Sequence, residues 1–172
     1  MRVVESKRFP HIVVEYIRNL YAKSSTTLQY AGQVRGVSCN RGVRQGDLLS
    51  PFLFNIVLDE ALATLQIPAP SIANQMVNHL AYADDVVLIA DSVAACQSNL
   101  DALSKNADNL GLELNISKTV SMGFRFVPKK KPIFITEQFL QYRGDTVKII
   151  TCEGNITYLG VTISYNRAKG DV

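Results

Sequence analysis

Tryptophan is absent from these 172 residues, and cysteine occurs only at Cys39, Cys96 and Cys152. Three widely spaced thiols, odd in number and in no Cys-x-x-Cys pair, exclude a zinc ribbon and a disulfide framework and point to a reducing compartment. No stretch approaches the roughly 18 apolar residues of a membrane span, and no apolar run follows a basic start, so neither a membrane anchor nor a secretion signal is expected. Without such a signal, the glycosylation patterns at Asn115-Ile116-Ser117 and Asn155-Ile156-Thr157 carry no meaning. Repeats and low-complexity tracts are also lacking. Cations are scarce in the middle of the chain: residues 48–117 hold Lys105 alone against eight acids. The flanks are the reverse, with eight Lys/Arg against three acids in residues 1–47 and nine against four in residues 118–172. Basic flanks around an acidic centre suit a protein whose ends meet phosphate and whose middle meets metal cations, or solvated helix faces that spread charge unevenly. With 47% apolar and 19% charged residues, the chain can bury the core of one globular domain or most of one.

Periodicity places the elements. After Pro10, Val13, Val14, Ile17, Leu20 and Tyr21 fall on one helical stripe that ends by Ser24. Thr26–Tyr30 and Val34–Ser38 read as a hairpin about Ala31-Gly32. Ser50-Pro51 has the form of an N-cap followed by proline at the first helical position, opening a helix that turns Phe54, Val57, Leu58, Ala61, Leu62 and Leu65 inward, with Pro68 and Pro70 closing it. His79–Ala90 reads as strand, tight turn, strand. A third helix follows from an N-cap at Ser92 to a C-cap glycine at Gly111. Val120, Met122, Phe124 and Phe126 alternate with polar or small residues, which predicts a strand with one buried face. Lys129-Lys130-Lys131, read as a basic turn between two strands with a nuclear signal as the alternative, lies in a short linker, Pro128 to Pro132, and beyond it short strands join at Arg143-Gly144-Asp145 and Glu153-Gly154-Asn155. The fold class is α+β.

The chemistry centres on Asp84-Asp85. Two adjacent carboxylates at the tip of an apolar hairpin repel each other, and the pair lacks the glycine that ordinary Asn-Gly or Asp-Gly turns use. A polar turn is one reading. The other is a site for a hard divalent cation, because carboxylates on a rigid hairpin are oxygen ligands of the type Mg²⁺ takes alongside substrate phosphates. His79 has no Cys or His partner at metal spacing and reads as structural.

Ala81-Tyr82-Ala83-Asp84-Asp85-Val86-Val87-Leu88 resembles the third palm motif of reverse transcriptases, whose Tyr-x-Asp-Asp box sits at a β-hairpin tip. Arg41-Gly42-Val43-Arg44-Gln45-Gly46-Asp47-Leu48-Leu49-Ser50-Pro51 resembles their second motif, a loop before a helix. Gly111-Leu112-Glu113-Leu114-Asn115 with Lys118-Thr119 resembles the fourth, and Tyr158-Leu159-Gly160-Val161 the fifth, the primer-grip hairpin. The wording is most similar to non-LTR retrotransposon enzymes, and the spacing of the last two motifs resembles the subgroup that inserts into ribosomal DNA.

The resemblance implies a polymerase palm, partial over residues 1–130 and ending with the primer-grip-like hairpin in residues 131–172. It implies RNA-directed DNA polymerisation by two metal ions, Mg²⁺ or Mn²⁺, on an RNA template, a DNA primer and deoxynucleoside triphosphates, in the nucleus or cytoplasm and away from membranes. Asp84 would be the main metal ligand and Asp85 a secondary acid. Tyr82 would underlie the primer terminus, with Arg44, Gln45 and Gly46 at template and nucleotide and glycine chosen so that no side chain blocks their approach. Lys118 would serve the pyrophosphate, and Tyr158, Leu159 and Gly160 the primer. Two departures stand out. Leu48 replaces the proline of the family's Gly-Asp-Pro-Leu-Ser-Pro, which frees one φ angle. The first palm motif, whose Asp bridges the metals, should precede Pro10, yet residues 1–9 contain no aspartate, and the fingers are missing too. The expectation is therefore a fragment lacking the upstream part of a longer polyprotein and inactive alone. A non-catalytic remnant that binds nucleic acid and a maturase-like intron protein are the alternatives.

Overall fold

The computed structural model describes residues 2–23, 25–38, 42–43, 46–65, 70–72, 74–125, 133–134, 139–151 and 153–164. They form two compact units, Met1–Thr64 with Ala107–Leu112, and Leu65–Asn106 with Glu113–Val172. Helices and mostly antiparallel strand pairs make the fold α+β.

In the first unit, α1 (Arg2–Ser6) and α2 (His11–Ala22) meet α3 (Ser50–Leu62) around a core of Val4, Val14, Ile17 and Leu53, against which Phe9, Tyr21 and Leu49 pack. The expected α2 stripe is narrower than its pattern: Val14 and Ile17 are buried, whereas Val13 is exposed at its edge. Lys7 ties the end of α1 to α3 by ion pairs to Glu60 (3.0 Å) and Asp59 (3.3 Å), and Arg18 reaches Glu5 at 2.6 Å. β1 (Ser25–Tyr30) and β2 (Gln33–Ser38) form a six-pair hairpin across Ala31-Gly32, where both φ angles are positive, as a type I′ turn demands.

Ser50 is not the N-cap of α3. It lies inside the helix, buried, with its hydroxyl 3.2 Å from that of Tyr21, and Leu49 occupies the cap without a side-chain bond. Asp47 serves the helix end instead: its Oδ1 accepts the Leu49 N–H at 3.0 Å and its carbonyl accepts that of Ser50 at 3.3 Å. Proline is tolerated anywhere in a first turn, so Pro51 did not discriminate between the two registers. Of the expected inner face, Ala61, Leu62 and Leu65 are buried and Phe54, Val57 and Leu58 half-buried, with Leu53 an additional core residue.

The second unit opens with the short pair β3 (Ser71–Ile72) and β4 (Gln75–Met76), then the hairpin β5 (His79–Tyr82) and β6 (Asp85–Leu88). Helix α4 (Val93–Leu110) starts where Ser92 Oγ accepts the Ala95 N–H at 3.2 Å. It ends in a Schellman motif: Gly111, at φ +76°, donates to the Asp108 carbonyl (3.1 Å) and Leu112 to that of Ala107 (2.8 Å). Leu100 of α4 joins Leu140, Tyr142 and Val147 in a core flanked by Leu88, Val93, Cys96, Leu114 and Ile116.

The single strand expected from Val120 is two: β7 (Val120–Ser121) and β8 (Phe124–Arg125), with Phe126 outside the described residues. β8 pairs antiparallel with β9 (Ile133–Phe134). Beyond β10 (Gln141–Tyr142) and β11 (Asp145–Thr146), which close the Arg143-Gly144 turn, β12 (Lys148–Ile149) pairs parallel with β7. Residues 120–124 are uniformly half-buried, so the alternation does not become one buried face; Gly123, with no side chain to pack, lies at the break. Gln97 fixes β10 by donating to the Gln141 carbonyl (2.9 Å) and accepting its N–H (2.8 Å). The chain ends its described course in the hairpin β13 (Asn155–Tyr158) and β14 (Val161–Ser164). The linker and the boundary expected between residues 130 and 131 lie outside the described residues.

Candidate functional site

Register sets the geometry of the acidic hairpin. Tyr82 pairs with Asp85 as the last rung, leaving Ala83 and Asp84 as a two-residue loop. In the loops Ala31-Gly32, Arg143-Gly144 and Leu159-Gly160, both φ angles are positive, with glycine second. In Ala83-Asp84 only Ala83 is left-handed, at φ +50°, and no glycine is present. That sign pattern belongs to a type II′ turn, whose first position normally takes glycine. A positive φ is unfavourable for an alanine, whose Cβ crowds the backbone there. The loop places Asp84, with Ala83, at the tip of the hairpin.

Alternation along the strands puts Tyr82 and Asp85 on the face of Leu80 and Val87, while Leu88, on the other face, packs onto the core. Tyr82 is 65% exposed and both carboxylates are exposed. Neither carboxylate has a hydrogen-bond or ion-pair partner among the described residues, and no group of three or more His, Cys, Asp or Glu side chains gathers there to hold a metal. His79 is structural in its contacts: its Nδ1 lies 2.8 Å from Asn78 Oδ1, and Asn78 donates to the Leu65 carbonyl at 2.8 Å.

Lys118, also in the second unit, is exposed on a turn that Asn115 builds. Asn115 Oδ1 accepts the Ser117 hydroxyl (2.7 Å) and the Lys118 N–H (3.3 Å), and its carbonyl accepts the Thr119 hydroxyl (2.8 Å). Tyr158 is half-buried and pairs with Val161 around the Leu159-Gly160 loop, whose Leu159 is exposed. Gly46, in the first unit, has φ +83°, and a Cβ there would meet nothing within 4 Å, so within the chain the demand for glycine is dihedral rather than steric. Arg44 and Gln45 lie outside the described residues. Leu48, the replacement for the family proline, is 98% exposed. The roles of Asp47 and Asn115 in shaping their loops were not singled out from sequence, although both follow the Asx pattern of a side-chain oxygen turned toward a backbone N–H two or three residues on.

The sequence pattern described as reverse transcriptase (RNA-dependent DNA polymerase) matches residues 1–163. The chain belongs to the reverse transcriptase family. This reverse transcriptase region is 33% identical over 158 residues to the retrovirus-related Pol polyprotein from type-2 retrotransposable element R2DM of Drosophila melanogaster, covering 90% of the chain and 15% of the polyprotein. It is 35% identical over 158 residues to the corresponding polyprotein from type-1 retrotransposable element R2 of Bradysia coprophila, covering 88% of the chain and 18% of that relative. A third similarity, 35% over 135 residues, is to an R2 polyprotein of Popillia japonica, with 73% and 19% covered. The chain thus spans less than a fifth of the length of these curated relatives, and it is a reverse transcriptase region of the non-LTR retrotransposon kind. No helix among its described residues is long and apolar enough to cross a membrane.

Proposed function

We propose that this region is palm of an RNA-directed DNA polymerase, with residues 1–130 as its main part and residues 131–172 as its end, and that Asp84 and Asp85 hold a divalent metal, Mg²⁺ with Mn²⁺ able to substitute. The observation that carries the reading is the loop Ala83-Asp84: an exposed carboxylate at a glycine-free tip, with no intramolecular partner among the described residues and a second carboxylate beside it. Two hard oxygen donors fit Mg²⁺, which keeps several waters and takes one or two carboxylates plus substrate phosphates. When bound, the metal supplies charge stabilisation for nucleotidyl transfer and activates the primer 3′-oxygen.

The chain's own residues then divide the remaining work. Asp84 is the principal ligand and Asp85, on the Tyr82 face, the lesser one. Tyr82 supports the primer terminus from that face. Arg44, Gln45 and Gly46 meet template and incoming deoxynucleotide, Lys118 donates to the pyrophosphate, and Tyr158-Leu159-Gly160 steadies the primer. The substrates are RNA template, DNA primer and deoxynucleoside triphosphates, bound with help from the basic flanks.

Binding of an RNA–DNA hybrid across a salt series tests this reading. Affinity should fall steeply with ionic strength, by counterion release, and show little sequence preference. Binding insensitive to salt, or confined to one sequence, contradicts it.

A further inference from the structure

The β1–β2 hairpin is exposed on both faces from Ser25 to Val37. A lone two-stranded hairpin is marginally stable at best in water, and this one leaves Leu28 58%, Tyr30 85% and Val34 65% exposed. Its register sorts the side chains. Thr26, Leu28 and Tyr30 share one face with Gln33, Arg35 and Val37, and Leu28 sits directly opposite Arg35. An aromatic ring, an aliphatic side chain and a guanidinium therefore lie together, uncovered. The other face carries the exposed Val34 opposite Gln29, with the hydroxyls of Ser25 and Thr27 alongside. Charge decides what kind of partner fits. Between Glu15 and Asp47 the chain has no acidic residue, and besides Arg18, which pairs with Glu5, it has four cations, Lys23, Arg35, Arg41 and Arg44. That stretch is complementary to a polyanion, and an exposed ring beside an arginine suits unstacked bases.

We infer that the β1–β2 face bearing Leu28, Tyr30 and Arg35 is a stacking platform for single-stranded nucleic acid, engaged without base preference. The inference rests on the polymerase reading and adds to it a single-strand contact in the unit that does not carry Asp84. Stacking on Tyr30 supplies affinity that any base can use, while Arg35 adds a phosphate or base-plane contact.

The test is fluorescence anisotropy of the 172-residue chain with labelled oligo(U), oligo(dT) and a blunt RNA–DNA hybrid over a salt series. Tyr30→Ala should weaken both single strands about tenfold and leave the hybrid unchanged. Tyr30→Phe should bind as the parent does. Arg35→Gln should flatten the single-strand salt slope by about 0.7. Because Tyr30 is 85% exposed, its replacement leaves packing intact. Undiminished single-strand binding by Tyr30→Ala, with hybrid binding preserved, overturns the platform and leaves the polymerase reading standing. A parent chain that binds neither single strands nor hybrid overturns both. A dimer that Tyr30→Ala dissolves without change in single-strand affinity identifies a second copy as the occupant and also overturns the platform.

Discussion

Tyr82 and Asp85 face each other across the last rung of the acidic hairpin, on the side away from the core, and Asp84 stands beyond them in the loop. The two carboxylates are adjacent in sequence but belong to different parts of the turn, one in the loop and one on the last rung, and the proposed reading gives the larger share of the metal to Asp84.

Mn²⁺ relaxation titrations separate their roles. An open site of this kind should bind Mg²⁺ weakly and Mn²⁺ somewhat more tightly. Asp84→Asn should remove most of the Mn²⁺ effect and Asp85→Asn only part. Equal losses contradict the division of roles, and no loss from either reduces Asp84-Asp85 to a polar turn.

Lys7 makes the tether between α1 and α3 dependent on pH. Hydrogen bonds to Glu60 and then Asp59 raise its ammonium above the ordinary value of 10.5. A raised folded value contributes stability that is whole below 10.5 and is lost as pH climbs through the folded value. Lys7→Met should therefore lower the urea midpoint slightly at pH 8, and the two proteins should converge at strongly alkaline pH. A gap that persists unchanged there contradicts the ion pairs.

Asn99 of α4 is fully buried, and neither its Oδ1 nor its Nδ2 has a hydrogen-bond partner among the described residues. An unpaired buried amide costs about 1–3 kcal/mol. Leucine shares its branch at Cγ, so Asn99→Leu should stabilise the protein by about 1–2 kcal/mol in urea unfolding. A loss of stability means that the amide is satisfied in solution, by water for example.

Much of the scaffold around the acidic loop was legible in the sequence because its signals are local. Asp84-Asp85 interrupts an otherwise apolar stretch, and the paired hairpin follows it. Ser92 and Gly111 cap α4 where their residue types demand. Signals that depend on distant partners read less well. Arg2–Ser6 is too short for periodicity to declare a helix, and Val3 and Val4 are buried through packing that no local pattern records. Ser50 resembles a cap, but Asp47 offers a better acceptor two residues before the orphan N–H of Leu49. Val120–Arg125 alternates like one strand yet divides between two partners, β12 and β9, chosen by tertiary pairing. The positive φ of Ala83, in a loop where glycine is absent, is a property of the closed turn that no residue type announces.

The most direct measurement is RNA-templated primer extension by the Drosophila melanogaster R2DM polyprotein in which residues 1–163 of this chain replace the matching segment. Incorporation of deoxynucleotides is expected, and Asp84→Asn should lower it at least about a hundredfold, since loss of metal charge stabilisation raises the barrier by several kcal/mol. Asp85→Asn should lower it less, and hybrid binding should survive both changes. Extension by the Asp84→Asn protein at the rate of the unsubstituted chimera would mean that Asp84 holds no catalytic metal.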